Sequence, residues 1–280
     1  MRSTFNVRRS LVAAAVAACS LIVAPLTRAY EKVDKMIDKI LAAEHRDAAN
    51  AARDQFRHPK DTLMFFGIQP SMTVVEVWPS AGWWTEILAP LLKDHGKYYA
   101  AYIVTDAPGM PAYLKEREKG FDAMLAAKPG LYGKVIKTKL LAPKWTEMAP
   151  PGSADMVLTF RNVHNWAKAG NAQAMFKAFH EALKSGGVLG VKDHRAVPGT
   201  SFQQQIDSGY MTEEWVISAA EKAGFKLAEK SEINANPKDT KDHPAGVWTL
   251  PPTLRLGDKD KTKYVAIGES DRMTLKFIKP

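Results

Sequence analysis

The run from Thr73 to Leu92 sets the tightest limit on what this chain can fold into. Thr73-Val74-Val75-Glu76-Val77 is β-branched and apolar and carries one acid near its end. Trp78-Pro79-Ser80-Ala81-Gly82 then interrupts it, and Trp83 to Leu92 restarts with helical spacing of apolar residues. A buried strand, a short turn and a helix in that order make one half of a parallel α/β unit. In such sheets the turn beyond the strand's carboxyl end is where ligands bind. Dinucleotide folds place G-x-G-x-x-G directly after that strand. Here an acid comes first, and the turn reads E-x-x-x-x-x-G from Glu76 to Gly82.

The pattern repeats along the chain. Lys97 to Val104 reads as strand two, Lys134 to Thr138 as strand three, and Ala154 to Phe160 as a buried strand four. Val188 to Lys192 reads as strand five and Gly224-Phe225 opens strand six. Helical segments fall between them, at Pro111–Ala127, Asn171–Lys184 and Thr212–Ala223. Alternation of this kind implies right-handed crossovers and a Rossmann-like, doubly wound, mostly parallel sheet. No helix separates strand six from Arg272–Ile278, so that seventh strand is expected to enter antiparallel. Residues 30–60 read as a polar N-terminal helical segment, 61–280 as the α/β domain, and 234–262 as a long Pro-, Lys- and Asp-rich excursion.

Residues 1–29 carry an export signal: a basic start with Arg8-Arg9, an apolar stretch from Leu11 to Leu26, and Thr27-Arg28-Ala29 for cleavage. The apolar stretch is short for a span of about 20 residues. The paired arginines suit a twin-arginine route as well as the general one. Cleavage would remove Cys19, the only cysteine, and with it any disulfide, thiolate metal site or thiol nucleophile. It would also remove four arginines and no acid, so the formal charge falls from +9 to 9 − 4 = +5. That charge is spread along the chain, which excludes the clustered basic face of a nucleic-acid binder. The expected location is periplasmic or otherwise exported, with no stable membrane insertion once the signal is gone.

The order Glu76, turn, Gly82 resembles the first motif of class I S-adenosylmethionine (SAM)-dependent methyltransferases, E/D-x-G-x-G-x-G, with Trp78 and Ser80 at the first two glycine positions. Ala182-Leu183-Lys184-Ser185-Gly186-Gly187-Val188-Leu189 resembles the L-K-P-G-G-x-L junction before strand five of such enzymes. From about Arg57 onward the chain is similar to an exported bacterial family of predicted methyltransferases. The similarity lies in Phe65-Phe66-Gly67-Ile68, Glu76–Pro90, Thr159–Trp166, Asp193-His194-Arg195-Ala196 and Asp271–Phe277. The resemblance implies a seven-stranded class I methyltransferase fold with SAM as cofactor. It puts Glu76, Trp78, Ser80 and Gly82 on the cofactor. Tyr102 stands where strand two usually ends on an acid that grips the ribose, and Asp106 is a nearby carboxylate that could replace it.

Arg161-Asn162-Val163-His164-Asn165-Trp166 follows strand four and is the densest polar and aromatic cluster in the chain. The N/D-P-P-Y/F signature of amino methyltransferases is not there. Asn162 offers an amide oxygen to an acceptor, and His164 is suited to be a base near neutral pH. The plainer reading is that Asn162 and Asn165 cap the following segment while Trp166 packs. His194, after strand five, falls beside this cluster, with His164 or Asp155 as the partner it could reach. The candidate catalytic set is therefore Asn162, His164 and His194. His58 and His243 flank prolines and read as surface residues. No histidine and acid spacing supports a metal.

These readings make the chain a SAM-dependent methyltransferase for a small-molecule acceptor in the cell envelope. The alternative is a non-catalytic binding protein on a degenerate methyltransferase fold. A third reading is another enzyme class using the Asn162–His164–His194 cluster for hydrolysis or proton transfer.

Overall fold

A computed structural model of the chain describes residues 30–280. The expected export signal lies outside the described residues. The strands are β1 (Thr73–Val77), β2 (Lys97–Ile103), β3 (Ile136–Leu140), β4 (Ala154–Phe160), β5 (Leu183–His194), β6 (Lys226–Ser231) and β7 (Arg272–Ile278). They form one sheet in the order β3-β2-β1-β4-β5-β7-β6. Pairings from β3 through β5 are parallel, and β7 runs antiparallel to both β5 and β6. The doubly wound sheet matches the alternation of elements, and the last strand is inverted as expected, although a helix at Lys261–Ile267 does separate it from β6.

The central strands are apolar because both faces are covered. Val74 and Val75 of β1, and Met156, Val157 and Leu158 of β4, are fully buried. A strand covered on both faces cannot alternate polar and apolar residues. In chain order the helices are α1 (30–41), α2 (Ala48–Ala51), α3 (Asp54–Arg57), α4 (Pro59–Phe66), α5 (Thr85–Leu92), α6 (Ala112–Ala127) and α7 (Pro129–Tyr132). They continue as α8 (Val163–Ala169), α9 (Ala172–Ala182), α10 (Phe202–Ser208), α11 (Glu213–Lys222) and α12 (Lys261–Ile267). One core packs α8, α9 and α11 on the sheet through Trp166, Phe176, Phe179 and Val216. The other packs α1, α4, α5 and α6 on the opposite face through Ile37, Leu63, Phe66, Leu88 and Phe121.

Three local expectations change. The N-terminal segment is broken rather than continuous, because Asp47 caps a new helix by accepting from the N–H groups of Ala49 and Asn50. β5 starts at Leu183, five residues earlier than the apolar run suggests, across a register shift against β4. The 234–262 excursion is not all loop, since it holds a turn of 3-10 helix at Gly246–Thr249 and runs into α12.

This topology puts the carboxyl ends of β1, β4 and β5 at one edge of the sheet. The antiparallel β7 brings its amino end, Arg272, to the same edge. β1 and β4 are neighbours there, with β2 and β3 on one side and β5 onward on the other. That is the switch point at which open α/β sheets bind ligands.

Candidate functional site

The turn after β1 keeps an unusual backbone. Trp78 has φ 52°, Ser80 φ 55° and Gly82 φ 85°. All three positions that carry glycine in the resembling motif are therefore left-handed, although two bear side chains. A left-handed L-residue costs about 1–2 kcal/mol, so other contacts must hold Trp78 and Ser80 in place. The indole of Trp78 points out of the turn, its Nε1 donating to the carbonyl of Leu140 at 2.9 Å. It also meets Trp166 edge to face at 5.6 Å. Ser80 is anchored through its carbonyl, which accepts from the Tyr102 hydroxyl at 2.9 Å.

The same contacts narrow the space beside the turn. Tyr102, at the end of β2, is buried and packs on Phe121 with ring centroids 5.2 Å apart. Burial and the nearby Glu118 push its hydroxyl up to about 12. A Cβ added to Gly82 would lie 2.7 Å from the thioether of Met124. The N–H groups of Ser80, Ala81 and Trp83 make no hydrogen bond among the described residues. A turn with open N–H groups ahead of a helix suits a carboxylate, so these residues fit the amino-acid half of SAM. On the ribose side, the Tyr102–Ser80 bond and the Met124 side chain occupy the space beside the turn. Met124 is flexible at that end.

Two cofactor candidates stand elsewhere. Glu76 is fully buried beneath the turn, with its carboxylate held by Thr85 and Tyr98. Burial pushes it up to about 7 against the opposing pull of those two hydroxyls. Strand alternation turns residue 76 onto the face of the sheet that α5 covers, where it meets Thr85 and Tyr98. Asp106 is exposed and ion-paired with Lys115 at 3.0 Å and Lys139 at 3.8 Å. The hydrogen bond from Lys115 lowers its pKa.

The three acceptor-side residues do come together. Asn162 is buried, and its Nδ2 donates to the carbonyl of Val77 at 3.0 Å, joining the end of β1 to the end of β4. It makes no side-chain cap of α8, contrary to the plainer expectation. Trp166 is core packing, as that reading had it. His164 and His194 lie with ring centroids 5.2 Å apart. Asp193 lies between them in its contacts. It accepts from the His164 backbone N–H at 3.1 Å, from His164 Nδ1 at 3.0 Å and from the His194 backbone N–H at 2.8 Å. Since an ionised carboxylate only accepts, Nδ1 of His164 carries the proton and Nε2 is the basic nitrogen. The ring of His194 instead meets Ser270 Oγ. Burial, then His164 and Arg272, hold its pKa well below the usual histidine value. Asp155 is at the opposite end of β4, bonded to the Thr73 N–H and to Lys184, so it cannot partner His194. His243 is half-buried, with its ring packed against Asp239 rather than on the surface.

A second feature was not legible in the sequence. Arg53 and Arg57 from the N-terminal helices, Arg161 after β4, Lys192 in β5 and Arg272 in β7 gather around Glu269. Glu269 pairs with Arg53 Nε at 2.6 Å, Arg57 Nε at 3.2 Å and Arg272. Burial alone would raise its pKa, but Arg272, Arg57 and Arg161 hold it well below the carboxylate range. Arg57 stacks on Trp83 at 4.5 Å, and Lys192 lies 4.7 Å over Trp84. No local signal marks this cluster, because its members come from four separate stretches of chain.

No family model matches the chain, and no curated protein matches it. Solved structures do share its fold. A SAM-dependent methyltransferase from Aquifex aeolicus is 16% identical, with a TM-score of 0.53 over 88% of this chain and 98% of that one. The 4+2 cyclase SpnF is 12% identical, with a TM-score of 0.50 over 80% of each chain. At such identities the likeness concerns architecture alone. With strand order 3-2-1-4-5-7-6, an inverted seventh strand and these neighbours, the chain has the class I methyltransferase fold.

Proposed function

We propose that the protein is a SAM-dependent methyltransferase acting on a small-molecule acceptor, made with residues 1–29 as a cleaved export signal and working in the cell envelope. The observation that carries this reading is the turn after β1. Three alternate residues keep the left-handed backbone of a cofactor loop even where side chains make it costly. SAM would supply an electrophilic methyl group. Ser80, Ala81 and Trp83 would meet its carboxylate with their backbone N–H groups, and Met124 would swing aside from Gly82.

On the acceptor side, Asn162 fixes the junction of β1 and β4, and His164 offers Nε2 as a proton acceptor with its tautomer set by Asp193. Methyl transfer needs placement more than acid–base chemistry, which suits a site with one oriented base. Among the described residues no helix is long and apolar enough to cross a membrane.

A second reading has a specific observation behind it. The Tyr102–Ser80 bond closes the ribose side of the turn, as expected of a binding protein that has kept the fold and lost the cofactor. Calorimetry of the purified protein with SAM and with S-adenosylhomocysteine separates the two. Micromolar binding, about −8 kcal/mol, supports the methyltransferase. No heat with either ligand, from folded protein, overturns it in favour of the binder.

A further inference from the structure

The cluster around Glu269 holds more positive charge than the protein neutralises. Four guanidiniums, Arg53, Arg57, Arg161 and Arg272, face two carboxylates, Glu269 and Asp193, beside the amine of Lys192, whose pKa burial and then Arg272 hold well below the usual lysine value. Arg57, Lys192 and Arg272 are all at least nine-tenths buried. Desolvating like charges together is expensive unless each finds a counter-charge. Yet donors are left over. Arg53 and Arg57 each have a buried terminal nitrogen without a partner, and so has Nε of Arg272. Among the described residues, the guanidinium of Arg161 makes no hydrogen bond. None of its nitrogens is among the buried unpartnered atoms and the residue is half-buried, so its head group reaches solvent at the mouth of the cluster, where desolvation by its surroundings and then Arg272 lower its pKa to about 10.

Residues of metal-ligating type lie next to this cluster. His164, Asp193 and His194 bring their ligating atoms within 4.8 Å of one another. A cation is nevertheless the wrong charge for the place. Both oxygens of Asp193 already accept N–H groups, Nδ1 of His194 faces Ser270, and the arginines lie close by. The charge and the leftover donors favour an anion. Guanidinium forks match the two or three oxygens of an oxyanion.

We propose that Arg53, Arg57, Arg161 and Arg272 form a binding site for an oxyanion group, phosphate or carboxylate, carried by a small molecule that enters past Arg161. His194 and His164 lie on the β5 and α8 side of this site. On the proposed methyltransferase reading the oxyanion would therefore be a handle that positions the acceptor. The site itself does not depend on that reading and would serve a binding protein equally.

The test is thermal unfolding and calorimetry of the purified protein with inorganic phosphate, with malonate, and with chloride at matched ionic strength. The site predicts saturable binding of phosphate, of malonate or of both, with no comparable effect of chloride. Whichever binds identifies the phosphate or carboxylate source. In Arg161→Gln, which loses no internal hydrogen bond and so should fold, affinity should fall on the order of tenfold or more. Arg57→Lys keeps the charge but not the fork, and should also weaken binding. Saturable binding by neither probe, or equal binding by Arg161→Gln, overturns the site. The assay contains no SAM, so a protein that fails the cofactor test can still pass this one, and the reverse.

Discussion

The hydroxyl of Tyr102 donates to the carbonyl of Ser80, so the end of β2 is tied to the turn after β1 at the place where the fold would hold a ribose. The bond has two opposite effects. It anchors a left-handed serine, and it closes the space beside the turn. Tyr102→Phe should therefore cost about 1 kcal/mol of stability and tighten SAM binding. Urea unfolding measures the first effect and calorimetry the second. An unchanged or weakened affinity would show that the bond does not gate the cleft.

Gly82 combines φ 85° with the thioether of Met124 lying 2.7 Å from where a Cβ would stand. Gly82→Ala should destabilise by roughly 1–2 kcal/mol from conformation alone, with steric crowding added. Adding Met124→Ala should recover the crowding and leave the conformational part. If the double variant regains full stability, the left-handed backbone is not what limits this position.

Asp193 is the acceptor for three N–H groups in a buried setting. Asn in its place can accept through one oxygen only and turns an NH₂ toward donors. Asp193→Asn should cost about 2–4 kcal/mol. It should also release the tautomer of His164, read as a shift of the ring nitrogens toward a mixture in ¹⁵N NMR. A folded variant with an unchanged His164 spectrum would remove Asp193 from its positioning role.

Glu76 makes stability depend on pH in an unusual direction. Its folded pKa is raised to about 7, chiefly by burial, while an unfolded glutamate titrates near 4.3. Between these values the folded state binds more protons, so stability falls as pH rises. The contribution is fully present below about pH 4 and is lost as pH passes through about 7, up to about 4 kcal/mol in all. Glu76→Gln should flatten the profile over that window in urea titrations. A slope that survives the substitution would assign it to another group.

The sheet was legible because its evidence is local. Val74, Val75, Met156 and Leu158 announce strands covered on both faces. The inverted strand was expected for want of a helix before Arg272; α12 stands there, and β7 nevertheless runs antiparallel. The cofactor turn was half legible. Gly82 advertises its backbone, whereas nothing in a tryptophan or a serine shows that Trp78 and Ser80 share it. The indole at position 78 leaves the turn for a reason outside the motif, since Leu140 offers its carbonyl elsewhere. Glu76 was read as facing the ligand from its position in the motif, but the pleat turns it to Tyr98 and Thr85. Asp193 was visible as a carboxylate beside His194, and its true partner, His164, is 29 residues away.

Arg53 and Glu269 are separated by 216 residues, and Arg57 and Glu269 by 212. The guanidiniums are thus among the early parts of the chain to be synthesised, and the carboxylate that gathers them is among the last. Until Glu269 is in place, those arginines lack the carboxylate they pair with, and Arg57 has only the face of Trp83 to draw it inward. The cluster therefore acts as a closing seal on assembly. A chain halted before Glu269 lacks both the carboxylate that gathers Arg53 and Arg57 and the Arg272 that shares it.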